Sequence, residues 1–343
     1  MDVVPDYDAA LFVTPTEAYR RVLARVERWK GAQPEEPPTE KLWRARHHSS
    51  QTAPGDQVLG LVGERGVGKT WLLRHLAEDE SRVSPAAVYL DLEERTRFRK
   101  PDDYVRAVEA QLQRRGDDVR TILLLDTLPP HLDEHLRALE DAILKPQLVQ
   151  RGSLVIMALA HPLRVCWRMP ALRGTERYVL QPFAESQTRE QLRRLRKAGL
   201  ATNGLKPSSL QAASGGLPLL NYLLATRTRI ASNEALLEHW LGHVPAVERD
   251  RVRGYLEAVC TLDTLEQAKI QRALEIYNRA QPQQARVPPH PGDVRNLLRK
   301  HWLARALPES PGRIVLIDSV RRAAREVLRA RDAELYAALE AMA

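Results

Sequence analysis

One octapeptide, Gly63-Glu64-Arg65-Gly66-Val67-Gly68-Lys69-Thr70, limits this chain more than any other stretch. It stands between an apolar run, Val58–Val62, and a segment of helical spacing that opens at Lys69. The pattern G-x-x-x-x-G-K-[ST] in a strand-to-helix turn demands a particular backbone. Gly63, Gly66 and Gly68 permit positive φ and close approach, so that successive N–H groups converge at the positive end of a helix. Such a nest suits the phosphates of ATP, with Lys69 reaching the β and γ phosphates and the Thr70 hydroxyl ligating Mg2+. Val67 and Trp71 belong to the same contact stretch. The competing reading, a glycine-rich turn without ligand, does not explain why Lys and Thr follow the last glycine.

A second run, TILLLD from Thr121 to Asp126, is an apolar strand ending in a carboxylate. Downstream of a phosphate loop, that acid is expected to hold the Mg2+ shell, which pairs Asp126 with Lys69 as the chemistry-bearing residues. Position 127 is Thr, where a second acid would position an attacking water, so hydrolysis is expected to be slow. Asp133 or Glu134 would have to fold back to replace it, or else they form the acidic first turn of a solvated helix.

The other runs, AAVYLDL from Ala86, SLVIMALA from Ser153 and a weaker RYVL at Arg177–Leu180, alternate with helical stretches. Alternation of this kind predicts a parallel sheet sandwiched by helices, with strands apolar on both faces. Before it, Thr14 and Pro15 read as cap and first residue of an amphipathic helix ending at Lys30, followed by a Pro-rich connection to Gln57. After Pro182 the chain reads as helices to about His243. A third section then offers helices at Glu248–Val259, Thr264–Tyr277 and Asp293–Ala306, a hairpin around Glu309–Gly312 and one long final helix. The expected organisation is residues 1–57 as an N-terminal segment, 58–182 as the core, 183–245 as a helical lid and 246–343 as a winged-helix unit.

With 343 residues, the chain has room for two or three such units. No apolar run approaches the roughly 20 residues of a membrane helix, and the acidic opening MDVVPDYD is no leader, so the cytoplasm is expected. Cys166 and Cys260 lack metal-ligand spacing and read as buried apolar residues. The net charge of +8 comes from arginines spread along the chain, which permits a nucleic-acid partner without marking a footprint.

Together these motifs resemble the STAND class of switch ATPases, relatives of AAA+ and NB-ARC proteins, over most of the chain. GVGKTWLLRHLA is similar to the loop and helix of the class, ILLLDTL to its acid-tipped strand, and SLVIMALAHP to the strand after it. Gly216-Leu217-Pro218 matches the G-x-P motif of the lid, and the resemblance implies that Pro218 packs on adenine. ALFVTPTEAYRRVL is similar to the adenine-side segment, which implies contacts from Phe12 and Val13; packing in the core is the other reading for Phe12. DVRNLLRKHWLARA with GRIVLIDSVRRAAREVL resembles the winged-helix unit, but Ile317 stands where the class carries an ADP-binding histidine, and Asp318 is expected to cap the final helix. His161, after the fourth strand, is either a γ-phosphate sensor or a surface residue.

Three functions remain open at this point. The first is a nucleotide-controlled switch, binding ATP or ADP with Mg2+ and able to form a nucleotide-dependent oligomer, whose sensing and output come from protein partners. The second is a DNA-binding ATPase of the origin-recognition or transposition-regulator kind, with Arg295, Arg299 and Lys300 on its recognition helix. The third is a scaffold that holds nucleotide without turnover.

Overall fold

The computed structural model describes residues 6–31, 57–79, 87–91, 100–113, 120–126, 133–159, 167–201, 204–227, 229–242, 244–301, 303–307 and 310–343. His161, Arg164, Cys166, Thr127 and the Pro-rich connection lie outside the described residues. Two compact units divide the chain, one of Tyr7–Gln181 and one built on Pro182–Ala343.

The first unit is a five-stranded parallel sheet flanked by helices. In chain order it runs α1 (Thr16–Gly31), β1 (Val58–Val62), α2 (Lys69–Glu78), β2 (Ala87–Asp91), α3 (Pro101–Gln113) and β3 (Ile122–Asp126). There follow α4 (Asp133–Leu139), continued through a π-helical turn, Glu140–Leu144, into α5 (Lys145–Val149), then β4 (Leu154–Leu159), α6 (Pro170–Arg173) and β5 (Glu176–Val179). Strand order is β2-β3-β4-β1-β5. β4 lies between the other two central strands, pairing Val155 with Val58 on one side and Leu154 with Ile122 on the other. Every residue of β1, β3 and β4 is buried, as strands covered on both faces require, whereas the edge strand β5 is largely exposed. This is the α/β fold of phosphate-loop NTPases, and it brings the C-terminal ends of β1 and β3 to the same edge of the sheet.

Helix α1 buries Ala18, Val22 and Val26. Its far end is tied down by the Trp29 indole N–H, which donates to the Gly152 carbonyl at 2.7 Å, and by Arg120 stacked 4.6 Å from the Trp29 ring. It begins at Thr16, so Pro15 precedes it and Thr14 is not its cap; the Pro15 carbonyl takes the Tyr19 amide at 2.9 Å.

The second unit holds α7 (Glu185–Lys197), α8 (Pro207–Ser214), α9 (Pro218–Thr226), α10 (Arg229–Leu241), α11 (Ala246–Val259), α12 (Gln267–Ala280), α13 (Pro291–Lys300), β6 (Ala304–Leu307), β7 (Ser310–Leu316), α14 (Asp318–Arg331) and α15 (Ala333–Met342). Several sequence expectations are corrected here. The helix expected over Asp293–Ala306 stops at Lys300, because Ala304–Leu307 pairs antiparallel with Ser310–Leu316 and the strand partner overrides a short helical period. The helix expected from Thr264 starts at Gln267, and the Leu265 amide instead donates to the Ile314 carbonyl of β7 at 2.7 Å. The long final helix is two helices broken at Asp332, whose carboxylate accepts the Leu335 amide as an N-cap. Asp318 is the first helical residue rather than a cap, and there its charge favours the helix dipole and pairs with Arg321 at 3.5 Å. Among the described residues no helix is long and apolar enough to cross a membrane.

Candidate functional site

The turn from β1 to α2 is built by its glycines. Gly66 and Gly68 have φ of 81° and 99°, and Gly68 is the left-handed residue from which α2 starts. Gly63 serves a different purpose: a β-carbon there would lie 2.9 Å from a Val67 methyl and 3.2 Å from the Leu180 carbonyl oxygen. Val67 is buried and its amide donates to the Glu64 carbonyl at 3.3 Å, closing the loop on itself. Leu72 is the first amide to bond back into the helix, to the Gly68 carbonyl at 2.9 Å. The amides of Lys69, Thr70 and Trp71 therefore have no intrahelical acceptor, the usual condition of a helix N-terminus and the one that receives anions.

Lys69 folds back over this nest, its Nζ donating to the carbonyls of Gly63 at 2.7 Å and Glu64 at 2.9 Å. Burial lowers its pKa to about 7; Asp126 opposes that shift, Arg65 adds to it and Glu64 opposes it more weakly. A phosphate in the loop would further favour the charged form of the ammonium.

Asp126 closes β3 and is 1% exposed. The Thr70 hydroxyl donates to its Oδ1 at 3.1 Å, and the Tyr89 hydroxyl donates to its Oδ2 at 2.7 Å. Burial raises the carboxyl pKa, while the hydrogen bonds from Tyr89 and Thr70 hold it down in part. Among the described residues no group of three or more His, Cys, Asp or Glu forms an all-protein metal cage. One hydroxyl beside one carboxylate is instead the sparse, hard oxygen set with which Mg2+ completes its shell from phosphate and water, so these residues fit that ion.

Phe12 and Val13 are 4% and 7% exposed. The Phe12 ring lies 4.4 Å from His75 of α2, and Tyr7 meets Trp71 edge-on at 5.5 Å while its hydroxyl shares a 3.1 Å hydrogen bond with His75 Nδ1. The Tyr19 hydroxyl donates to Asp79 at 2.5 Å, which adds a further tie to the end of the same helix. The N-terminal segment is thus packed along α2, beside the turn that carries Thr70.

Pro218 is the first residue of α9, in the second unit, and its carbonyl accepts from the Gln191 amide at 2.9 Å. Gly216 before it has φ of 77° and gives its carbonyl to the Phe183 amide at 2.8 Å. Ile317 is buried between β7 and α14, its amide bonded to the Leu303 carbonyl at 3.0 Å. Glu134 is exposed in the first turn of α4. Arg173 donates through Nε to the Trp167 carbonyl.

Sequence reasoning missed Tyr89, Arg74 and Asp91. Arg74 Nε donates to the Tyr89 hydroxyl at 3.2 Å, and its guanidinium lies 3.7 Å from Asp91. The signal was present in β2: Tyr89 and Asp91 are the polar side chains of an otherwise apolar run, two apart and hence on one face. Asp91 stands opposite Asp126 in the sheet register.

The family model of the AAA domain matches residues 52–157, less than half of the chain, and that stretch includes the loop, β2 and the acid-tipped β3. The segment is therefore similar to AAA domains. No curated protein gives a significant match. Among solved structures, the Orc1 protein of Aeropyrum pernix in complex with DNA is 16% identical, covering 94% of this chain and 95% of that one with a TM-score of 0.43. The RuvB Holliday junction branch migration motor of Thermotoga maritima is 13% identical, covering 92% and 96%, also with a TM-score of 0.43. A HORMA:CdnC:Trip13 complex of E. coli MS115-1 is matched at 18% identity over 60% of this chain and 75% of that one, with a TM-score of 0.40. Likenesses this low carry no argument about what this chain binds.

Proposed function

We propose that this chain is a slow, nucleotide-controlled regulatory ATPase of the STAND kind, working in the cytoplasm with separate sensor or effector proteins. The observation that carries the reading is the 3.1 Å hydrogen bond between the Thr70 hydroxyl and Asp126, with the Lys69 ammonium folded into the loop beside them. In this reading the amides from Gly66 to Trp71 take the phosphates of ATP or ADP, Lys69 bridges the β and γ phosphates, and Thr70 and Asp126 hold Mg2+. The metal would supply neutralisation of charge developing on the phosphates, while the chain's own contribution is to position it. Thr127, in place of a second acid, is the reason to expect slow turnover.

Residues 58–182 act as the core, 183–245 as a lid offering Pro218 to adenine, and 246–343 as a winged-helix unit; Phe12 and Val13 complete the adenine side. The order of α11, Leu265 bonded to β7, α12, α13 and the β6–β7 hairpin supports the winged-helix assignment. The DNA-binding alternative receives less support. Lys300 is paired with Glu248 at 2.9 Å and Arg295 bonds the Gly312 carbonyl at 3.4 Å, so two of the three expected carriers already have partners within the protein, while Arg299 and Lys300 are both exposed.

The switch is tested by limited proteolysis and by sizing of the ATP- and ADP-loaded protein. Different fragment patterns or assembly states are expected. Identical behaviour with the two nucleotides would remove the switch.

A further inference from the structure

Tyr89 is held through both its backbone and its phenol. Its backbone carbonyl accepts from Gln111 Nε2 of α3 at 2.7 Å, Arg74 Nε donates to its hydroxyl oxygen at 3.2 Å, and the Arg74 guanidinium lies 5.4 Å from its ring. A guanidinium has no lone pair to offer, so the Tyr89 oxygen must accept from Arg74 and its proton is left for a carboxylate. That carboxylate is Asp126 Oδ2, at 2.7 Å. The polarity of the chain Arg74 to Tyr89 to Asp126 is thereby fixed, and each bond strengthens the next. Arg74 lies four residues after Thr70, hence on the same face of α2. The hydrogen bonds and one helical turn close a ring through Thr70, Asp126, Tyr89 and Arg74.

We propose that Tyr89, itself held by Arg74, is a positioning residue of the Mg2+ site: it fixes the Asp126 carboxylate so that Oδ1 faces Thr70. This rests on the reading of Thr70 and Asp126 given above. Tyr89 touches neither metal nor phosphate in this role. Without its hydroxyl, the buried carboxylate loses the Tyr89 hydrogen bond at Oδ2, and its χ2, a broad torsion that packing alone does not fix, is held less firmly.

The test measures binding of a fluorescent ATP analogue with EDTA and across a Mg2+ titration, for wild type, Tyr89→Phe, Arg74→Met and Asp126→Asn, each with its melting temperature. For Tyr89→Phe the expected result is affinity in EDTA unchanged and a Mg2+ half-saturation about tenfold higher, the usual size of such an outer contact. Arg74→Met keeps the phenol and its bond to Asp126, so a smaller shift in the same direction is expected, and this variant carries the test should Tyr89→Phe not fold. Weakening that is equal with and without Mg2+, alongside a lower melting temperature, means a structural role and overturns the proposal. So does a wild-type Mg2+ half-saturation in both variants while Asp126→Asn abolishes the Mg2+-dependent gain. If Asp126→Asn also leaves that gain intact, the nucleotide-site reading fails, and the role of Tyr89 falls with it.

Discussion

A β-carbon at position 216 would sit 2.2 Å from the Phe183 carbonyl oxygen, on a residue whose φ is already +77°. Both conditions exclude any side chain there, so Gly216→Ala is expected to destabilise the protein by about 2 kcal/mol or more, read as a lower urea midpoint. A midpoint equal to wild type would show that the turn before Pro218 is not as tight as described. Cys260 is buried in the second unit, and burial pushes its thiol up to about 12, with Arg325 opposing and Glu257 adding to the shift. The folded state then keeps this proton to a higher pH than the unfolded chain, whose cysteines titrate near 8.5. The sign follows: the thiol contributes no pH dependence below both values, and its share of stability falls as pH rises from about 9 toward 12. Iodoacetamide at pH 8 is therefore expected to leave the Cys260 peptide unlabelled until denaturant is added, and rapid native labelling, read by peptide mass spectrometry, would contradict that burial.

At the scale of elements, the second unit is clamped by Glu257 of α11. The carboxylate is 2% exposed and receives both arms of Arg331 from α14, at 2.8 and 2.6 Å, and the Tyr277 hydroxyl from α12 at 2.9 Å. Glu257 is buried while Arg331 is half exposed, so removing the guanidinium leaves a carboxylate held, among the described residues, only by Tyr277. Arg331→Met is therefore expected to cost about 1–2 kcal/mol in chemical unfolding, and a loss within about 0.3 kcal/mol would contradict the clamp. The sequence is informative about some elements and silent about others, for physical reasons. The phosphate loop is legible because its conformation is set within eight residues, by glycines and a following helix. β1, β3 and β4 are legible because strands buried on both faces must be apolar throughout. The end of α13 is not: Val294, Leu297 and Leu298 set a helical period that Trp302 continues in the sequence, yet the chain turns at His301, whose ring meets Glu248 at 2.6 Å, and pairs with a strand further on. Tyr89 escapes for the same reason, since its bond to Asp126 depends on the register of two strands that no local pattern encodes.

The molecule as a whole consists of two units with separate cores. One carries a phosphate loop with an acid in hydrogen-bonding reach of its threonine; the other carries the helices and hairpin that the switch reading treats as lid and winged helix. The net charge of +8 comes from arginines spread along the chain, and several of them are paired with acids, as Arg193 and Arg194 are with Glu190. The account therefore stands first on whether nucleotide binds, and in what form, rather than on nucleic acid. The measurement that tests this most directly is equilibrium binding of ATP, with and without Mg2+, to wild type, Lys69→Ala and Asp126→Asn. The account predicts binding by wild type that Mg2+ strengthens, a loss of roughly tenfold to a hundredfold in Lys69→Ala for want of its charge-assisted hydrogen bonds, and an Asp126→Asn protein that binds ATP but no longer responds to Mg2+. Wild type that does not bind ATP, or Lys69→Ala that binds as well as wild type, would contradict it.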